Sequence, residues 1–237
     1  MRALIGLASL FALSMFVAGC GDAERKGDDY FPLHEGGSWT YRVTTAIDDR
    51  ERQVDLLTFT NRGSENMGGA DAVRRHVDSG IDYWLRSDSS GIQRIASRAP
   101  LDRNAIADDP YRMVLARPFV VGTQWKTLTT AYVLARRNEV PKEVRRTHKP
   151  FPMTYTIESI DEAVAVPAGK FLHCMRVGGQ ASVRLYVDAQ FAWRDIGLTT
   201  REWYCPGVGL VRVEREELSP SRFMVGGHVT MELADWH

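Results

Sequence analysis

Apolar and polar side chains alternate in short runs along most of this chain, and glycine and proline separate the runs. Trp39, Tyr41 and Val43 fall on one face and Thr40 and Arg42 on the other. Val183, Leu185 and Val187 repeat the rhythm, as do Val229, Met231 and Leu233. A period of two is that of an extended strand with one face against a core. Strands are therefore expected over residues 54–59, 81–85, 92–95, 125–134, 153–157, 171–177, 183–187, 200–204, 210–213 and 229–233. Asp88-Ser89-Ser90-Gly91 and Pro206-Gly207-Val208-Gly209 read as the turns of two hairpins. Helical periodicity is thin. The expected fold is all-β, an antiparallel curved sheet or partly open barrel. The strands counted this way are too few, and alternate too irregularly, for an outer-membrane barrel.

One turn-plus-strand pattern occurs twice. Pro32, Leu33, Gly36 and Trp39 form a Pro-apolar-x-x-Gly-x-x-Trp motif that Pro118, Phe119, Gly122 and Trp125 repeat. Proline fixes φ, glycine admits a conformation other residues resist, and tryptophan lands on the apolar face of the strand that follows. Two related halves, roughly 30–116 and 117–220, are expected. Aromatics so placed read first as core. Their second reading is the lining of a ligand pocket, for which Trp39, Tyr41, Trp125 and Tyr155 are the candidates.

The N-terminus breaks this pattern. Arg2 precedes a nearly unbroken apolar run over residues 3–17, too short for a comfortable membrane span and flanked as a secretory signal is. It ends in Val17-Ala18-Gly19-Cys20. This quartet resembles the lipobox of bacterial lipoproteins, which implies cleavage after residue 19 and diacylglycerol on the Cys20 thiol. Residues 20–29 then carry the lipidated cysteine and a polar, flexible tether, able to hold the folded domain up to about 30 Å from the lipid surface. The β-rich periplasmic domain is expected to occupy residues 30–237. Gly21, not aspartate, follows the cysteine, so by resemblance to enteric sorting signals the expected site is the outer membrane, facing the periplasm.

Composition narrows the partners. Cleavage would leave 218 residues with 29 basic and 30 acidic side chains, a balance that gives no steering toward nucleic acid. Once Cys20 is lipidated, Cys174 and Cys205 remain as an even pair in an oxidising compartment. They read as a structural disulfide between two strands, or alternatively as two buried thiols or a reactive one.

Three further stretches come in a recognisable order. These are Tyr30-Phe31-Pro32-Leu33 with Gly36 and Trp39-Thr40-Tyr41, then Val166-Pro167-Ala168-Gly169-Lys170-Phe171, then Trp203-Tyr204-Cys205-Pro206-Gly207-Val208-Gly209. Together they resemble a group of uncharacterised bacterial exported proteins and lipoproteins. The resemblance implies a β-rich exterior domain, like the curved half-barrels of periplasmic lipoprotein carriers, and implies no activity. Cys205 before Pro206 departs from the group's commonest form and strengthens the case for a bond to Cys174.

Recognisable catalytic and metal motifs are missing. The six histidines show no His-Glu-x-x-His spacing, and there is no nucleophile elbow or phosphate loop. No cofactor and no metal are expected. His173 and Cys174 are adjacent on a strand and so point to opposite faces. Asp82, Asp161 and Asp188 could act only if the fold brought them together. One charged segment stands out: Arg136, Arg137, Lys142, Arg145, Arg146 and Lys149 outnumber Glu139 and Glu143. It reads as a solvated loop that discourages edge pairing, as a contact to anionic lipid headgroups or lipopolysaccharide phosphates, or as a contact to an acidic protein partner. The expected function is that of a membrane-anchored, non-enzymatic lipoprotein binding an apolar ligand or an envelope protein. A structural scaffold and an envelope hydrolase with a spatially assembled site are the alternatives.

Overall fold

The computed structural model describes residues 29–136, 150–189, 192–219 and 224–237. The signal segment, Cys20 and most of the tether lie outside them. The first half of the chain supplies β1 (Ser38–Ile47), β2 (Gln53–Met67), β3 (Ala70–Val77), β4 (Asp82–Asp88), β5 (Gly91–Arg98) and β6 (Ile106–Ala116). The second supplies β7 (Gln124–Thr129), β8 (Ala135–Arg136), β9 (Phe151–Val166), β10 (Gly169–Asp188), β11 (Ala192–Cys205), β12 (Gly209–Glu217), β13 (Met224–Val225) and β14 (Gly227–Trp236). No helix forms among the described residues.

Twelve strands make one antiparallel sheet in the order β6-β5-β4-β3-β2-β1-β14-β12-β11-β10-β9-β7, and β8 pairs only with β13. Read as a ring, this is an up-and-down meander in which β14 returns to β1, with Trp39 opposite Trp236 and Tyr41 opposite Leu233. The two ends of the order, β6 and β7, come into contact without a ladder between them. Among the described residues the sheet is thus a barrel closed everywhere but at one seam. Residues 30–116 build β1 to β6 and the seam follows them. The echoed glycines, Gly36 and Gly122, both adopt left-handed φ, at 81° and 93°.

Inward-facing side chains form two large clusters. One gathers Trp39, Tyr41, Val164, Val211 and Leu233 around the Cys174–Cys205 pair. The other runs from Tyr30, Ile92 and Leu115 through Trp125 and Tyr155 to Met153, Leu198, Leu134 and Met224. A smaller cluster holds Ala72, Trp84, Ile95 and Ala96. Outward-facing positions carry cross-strand ion pairs, Arg42–Glu232 at 2.7 Å, Arg176–Glu158 at 2.9 Å and Arg184–Asp195 at 3.7 Å. Strand number alone does not separate this barrel from outer-membrane ones, contrary to the sequence argument. These outward charges do, because a hydrocarbon-facing band would be apolar.

Three strand expectations need correction. The run 125–134 is not one strand: β7 stops at Thr129, because the amides of Tyr132, Val133 and Leu134 donate to the Glu217 carboxylate instead of to a ladder. Residues 171–177 and 183–187 belong to a single 20-residue strand, β10, whose Gly178-Gly179 pair lacks the side chains that would signal continuity. β3 and β6 were missed, since arginines interrupt their alternation. Both expected hairpin turns form, with Asp88 opposite Gly91 and Cys205 opposite Gly209. At the first of these, the Gly91 φ of 137° and its contact with the Leu115 carbonyl leave no room for a Cβ.

Candidate functional site

The barrel is not filled. A cavity of about 510 Å³ occupies its interior, walled by the N-terminal segment and by every strand of the sheet except β10. Tyr41, Tyr83, Tyr155 and Tyr204 project into it, with Leu85, Met113, Leu210 and Met231 between them. Its polar groups come from opposite walls: Arg75 from β3, Arg94 from β5, Arg112 from β6 and Glu202 from β11. Among the described residues of the lining, Glu202 is the one carboxylate, and there is no histidine, serine or cysteine.

Each polar group has a distinct environment. Arg75 donates through Nε to Asn61 Oδ1 and through Nη2 to the Pro32 carbonyl, both at 2.8 Å. Its guanidinium also lies 4.5 Å from the Phe31 ring centroid and 4.7 Å from that of Trp39. Burial lowers its pKa to about 10, which leaves it charged at neutral pH, and it ties the N-terminal segment to the barrel wall. Arg94 is neutralised by Asp108 through two bonds of 2.7 Å. Arg112 makes no hydrogen bond or ion pair among the described residues.

Glu202 is different again. The Tyr204 hydroxyl donates to its carboxylate at 2.6 Å. Enclosure raises its pKa above the ordinary carboxylate value, against the pull of that bond and of the Arg215 and Arg112 charges. Enclosure likewise raises Tyr204, Tyr155 and Tyr41, the first two further through the nearby Glu202 charge. A site of this kind offers fixed donors and acceptors in an apolar wall, which is the chemistry of binding and orienting a ligand.

Thr130 and Tyr132 line the cavity from a strap, residues 130–136, that links β7 to β8. Glu217, with no solvent exposure, accepts amide protons from Tyr132, Val133 and Leu134 at 2.8–2.9 Å. Arg215 donates to Glu217 at 2.6 Å and to the Thr130 carbonyl at 2.7 Å, and its guanidinium stacks 4.0 Å from the Tyr132 ring centroid. β8 then pairs with β13, fastening the strap a second time.

At the seam, a second cavity of about 280 Å³ lies between β5–β6 and β7. Arg94, Arg112, Thr127 and Thr130 line both cavities, so the seam and the lumen share a wall.

Of the pocket candidates read from sequence, Tyr41 and Tyr155 line the lumen. Trp39 and Trp125 stand behind it. Trp39 is core, its indole N–H donating to the Val208 carbonyl at 2.7 Å, and Trp125 stacks on Tyr155 with ring centroids 5.4 Å apart. Cys174 and Cys205 form a disulfide across β10 and β11, with Cα atoms 4.2 Å apart. Arg136 lends its backbone to β8; Arg137, Lys142, Arg145, Arg146 and Lys149 lie outside the described residues, as does Cys20. Asp82 and Asp161 do not meet. Asp82 is buried beneath Arg74, His76 and Arg98, while Asp161 pairs with exposed His173 at 2.7 Å. Sequence reasoning missed Arg112 and Glu202, although Glu202 had a signal: it shares parity with Thr200 and Tyr204 on an expected strand.

No protein-family model matches the chain, and no curated protein matches it. Two solved structures resemble it. A protein of Parabacteroides distasonis described as a lipoprotein is 14% identical, with a TM-score of 0.40 over 88% of this chain and 98% of that one. An exported protein of Bacteroides fragilis described as having a YmcC-like fold is 15% identical, with a TM-score of 0.37 over 87% of this chain and 98% of that one.

Proposed function

We propose that this protein is a lipid-anchored module of the bacterial cell envelope whose barrel lumen binds a small, largely apolar ligand. The lumen itself carries the reading. Its volume falls within the roughly 300–1,000 Å³ of small-molecule sites, and its wall mixes apolar and aromatic side chains with a few converging polar groups. The lipobox-like quartet ending at Cys20 supports the anchor, by which the lumen is kept beside a membrane, a source of apolar ligands. Outer-membrane placement facing the periplasm belongs to the same proposal and rests on Gly21 following the cysteine.

The test is extraction and mass analysis of the protein purified from its own membranes in a fluorinated surfactant, which mixes poorly with hydrocarbon chains. A small molecule near one equivalent per barrel is expected. It should be lost from the Met113→Trp variant, whose added ring fills the lumen. An empty barrel that also takes up no apolar probe would overturn the reading.

A further inference from the structure

The position of Arg112 says more about the ligand than the lumen's volume does. Its guanidinium lies where the seam cavity and the lumen share a wall. It makes no direct hydrogen bond or ion pair among the described residues, and the one carboxylate of the lumen, Glu202, acts on it only through charge while accepting from Tyr204. The other lumen arginines are occupied, Arg94 by Asp108 and Arg75 by Asn61 and the Pro32 carbonyl. Arg112 is half-buried, so its charge is only partly solvated, and an anion supplied by a ligand would gain charge-assisted hydrogen bonds from a guanidinium that no protein group described already holds.

The surroundings give the anion a direction. On the seam side, Lys126 adds an exposed cation, while Asp109 is the one carboxylate among the described lining residues not already held by Arg94. On the lumen side, Phe59, Leu85, Met113, Val114, Leu210 and Met231 present an apolar wall. A charged end at the seam and an apolar body inward is the shape of an amphiphile. Among the described residues the seam is also the one place where neighbouring strands of the ring share no ladder, so a ligand could pass there without breaking the backbone hydrogen bonds described.

We infer that Arg112 anchors the headgroup of a single-chain amphiphile bearing one anionic group, carboxylate or phosphate, that enters through the β6–β7 seam and lays its chain in the lumen. This rests on the lumen being a binding site, and the experiment separates failure of one from failure of the other.

The full-length lipidated protein, held in a fluorinated surfactant, is titrated with cis-parinaric acid and with its methyl ester, which has the same chain and no charge. The acid is expected to bind about tenfold or more tighter than the ester, the scale of a charge-assisted hydrogen bond. Arg112→Gln should bring the acid down to the ester's affinity and leave the ester unchanged, and Arg112→Lys should restore part of the difference. A lysophospholipid ending in a phosphate monoester should displace the acid, and inorganic phosphate at the same concentration should not. Equal binding of acid and ester by the unaltered protein would overturn the headgroup assignment while leaving an apolar site in place. Binding of neither would overturn both. Displacement by inorganic phosphate would overturn the amphiphile in favour of a free anion.

Discussion

Arg215 and Glu217, two positions apart on β12, face the barrel interior together and bond at 2.6 Å with almost no solvent contact, at 2% and 0% side-chain exposure. The pair works less as an isolated salt bridge than as a clasp. The carboxylate gathers three consecutive amide protons of the strap and the guanidinium takes the carbonyl just before them. Ionic burial is repaid here by hydrogen bonds on both members, the condition under which such pairs are retained.

Glu217→Gln should therefore be strongly destabilising. An amide offers one acceptor where three amide protons and a guanidinium converge, and it turns its own N–H groups toward them. A loss of about 3 kcal/mol is expected, read as a lower urea midpoint. Faster hydrogen exchange at residues 132–134 would mark the strap as the part released.

The Cys174–Cys205 bond closes a loop with a sequence separation of 31 inside an otherwise apolar cluster. Replacing both cysteines by serine should cost about 3 kcal/mol through the freed unfolded chain. Thiol counting of the unreduced protein in denaturant should find neither cysteine free, and either thiol reacting would break the assignment.

Glu202 gives a pH dependence of defined sign. Its folded pKa is raised by enclosure, so the folded state holds this proton more tightly than the unfolded chain does. From about the unfolded value of 4.5 upward, this residue subtracts stability until pH passes the folded pKa. Glu202→Gln should accordingly melt higher than the unaltered protein at pH 7 and lose that advantage toward pH 4. An advantage that does not change with pH would contradict this.

Asp82 should behave in the opposite way. Burial works to raise its pKa, but bonds from His76, Arg74 and Arg98 hold it below the ordinary 3.8. It adds stability above the unfolded value, and that stability drains as pH falls through the folded one. Asp82→Asn should cost roughly 1.5–3 kcal/mol at pH 7 and little at the acid end, measured by melting at a series of pH values.

The lumen offers a prediction that separates lining from support. Trp39→Ala should lower stability by about 3–5 kcal/mol, because it empties a core position and strands the Val208 carbonyl. Tyr155→Phe should leave the melt within about 1 kcal/mol. Loss of ligand in the Trp39 variant would then report a damaged barrel rather than a missing contact.

The sequence disclosed the strands whose two faces differ and concealed those whose faces do not. Val183, Val187, Trp39 and Tyr41 announced themselves because one face meets a core and the other water. β3 places Arg74 over Asp82 on one face and Arg75 against the rings of Phe31 and Trp39 on the other, so a two-residue polarity period never develops there. β6 is blurred in the same way by Arg112. The overrun of β7 has the reverse cause: Val133 and Leu134 are apolar because the strap buries them, and a buried apolar pair reads like one more strand. Tyr41 and Tyr155 were legible as aromatics on strand faces. Arg112 was not, and Glu202 only as a position sharing a face with Tyr204, since their meaning depends on strands brought together from across the ring.

The meander also orders events in time. Around most of the barrel a strand's neighbour is the next in sequence and forms by a local hairpin, the kind of contact that assembles quickly. The closure of β14 on β1 is the exception, joining residues such as Arg42 and Glu232 that are 190 positions apart. A chain threaded across a membrane N-terminus first would present β1 as a bare edge until its final residues emerged. Until then that edge is open to pairing with other chains, and removing β14 would leave both β1 and β12 unzipped. Truncation at the C-terminus should therefore provoke aggregation in the compartment of arrival, although the lumen-lining residues would nearly all still be present.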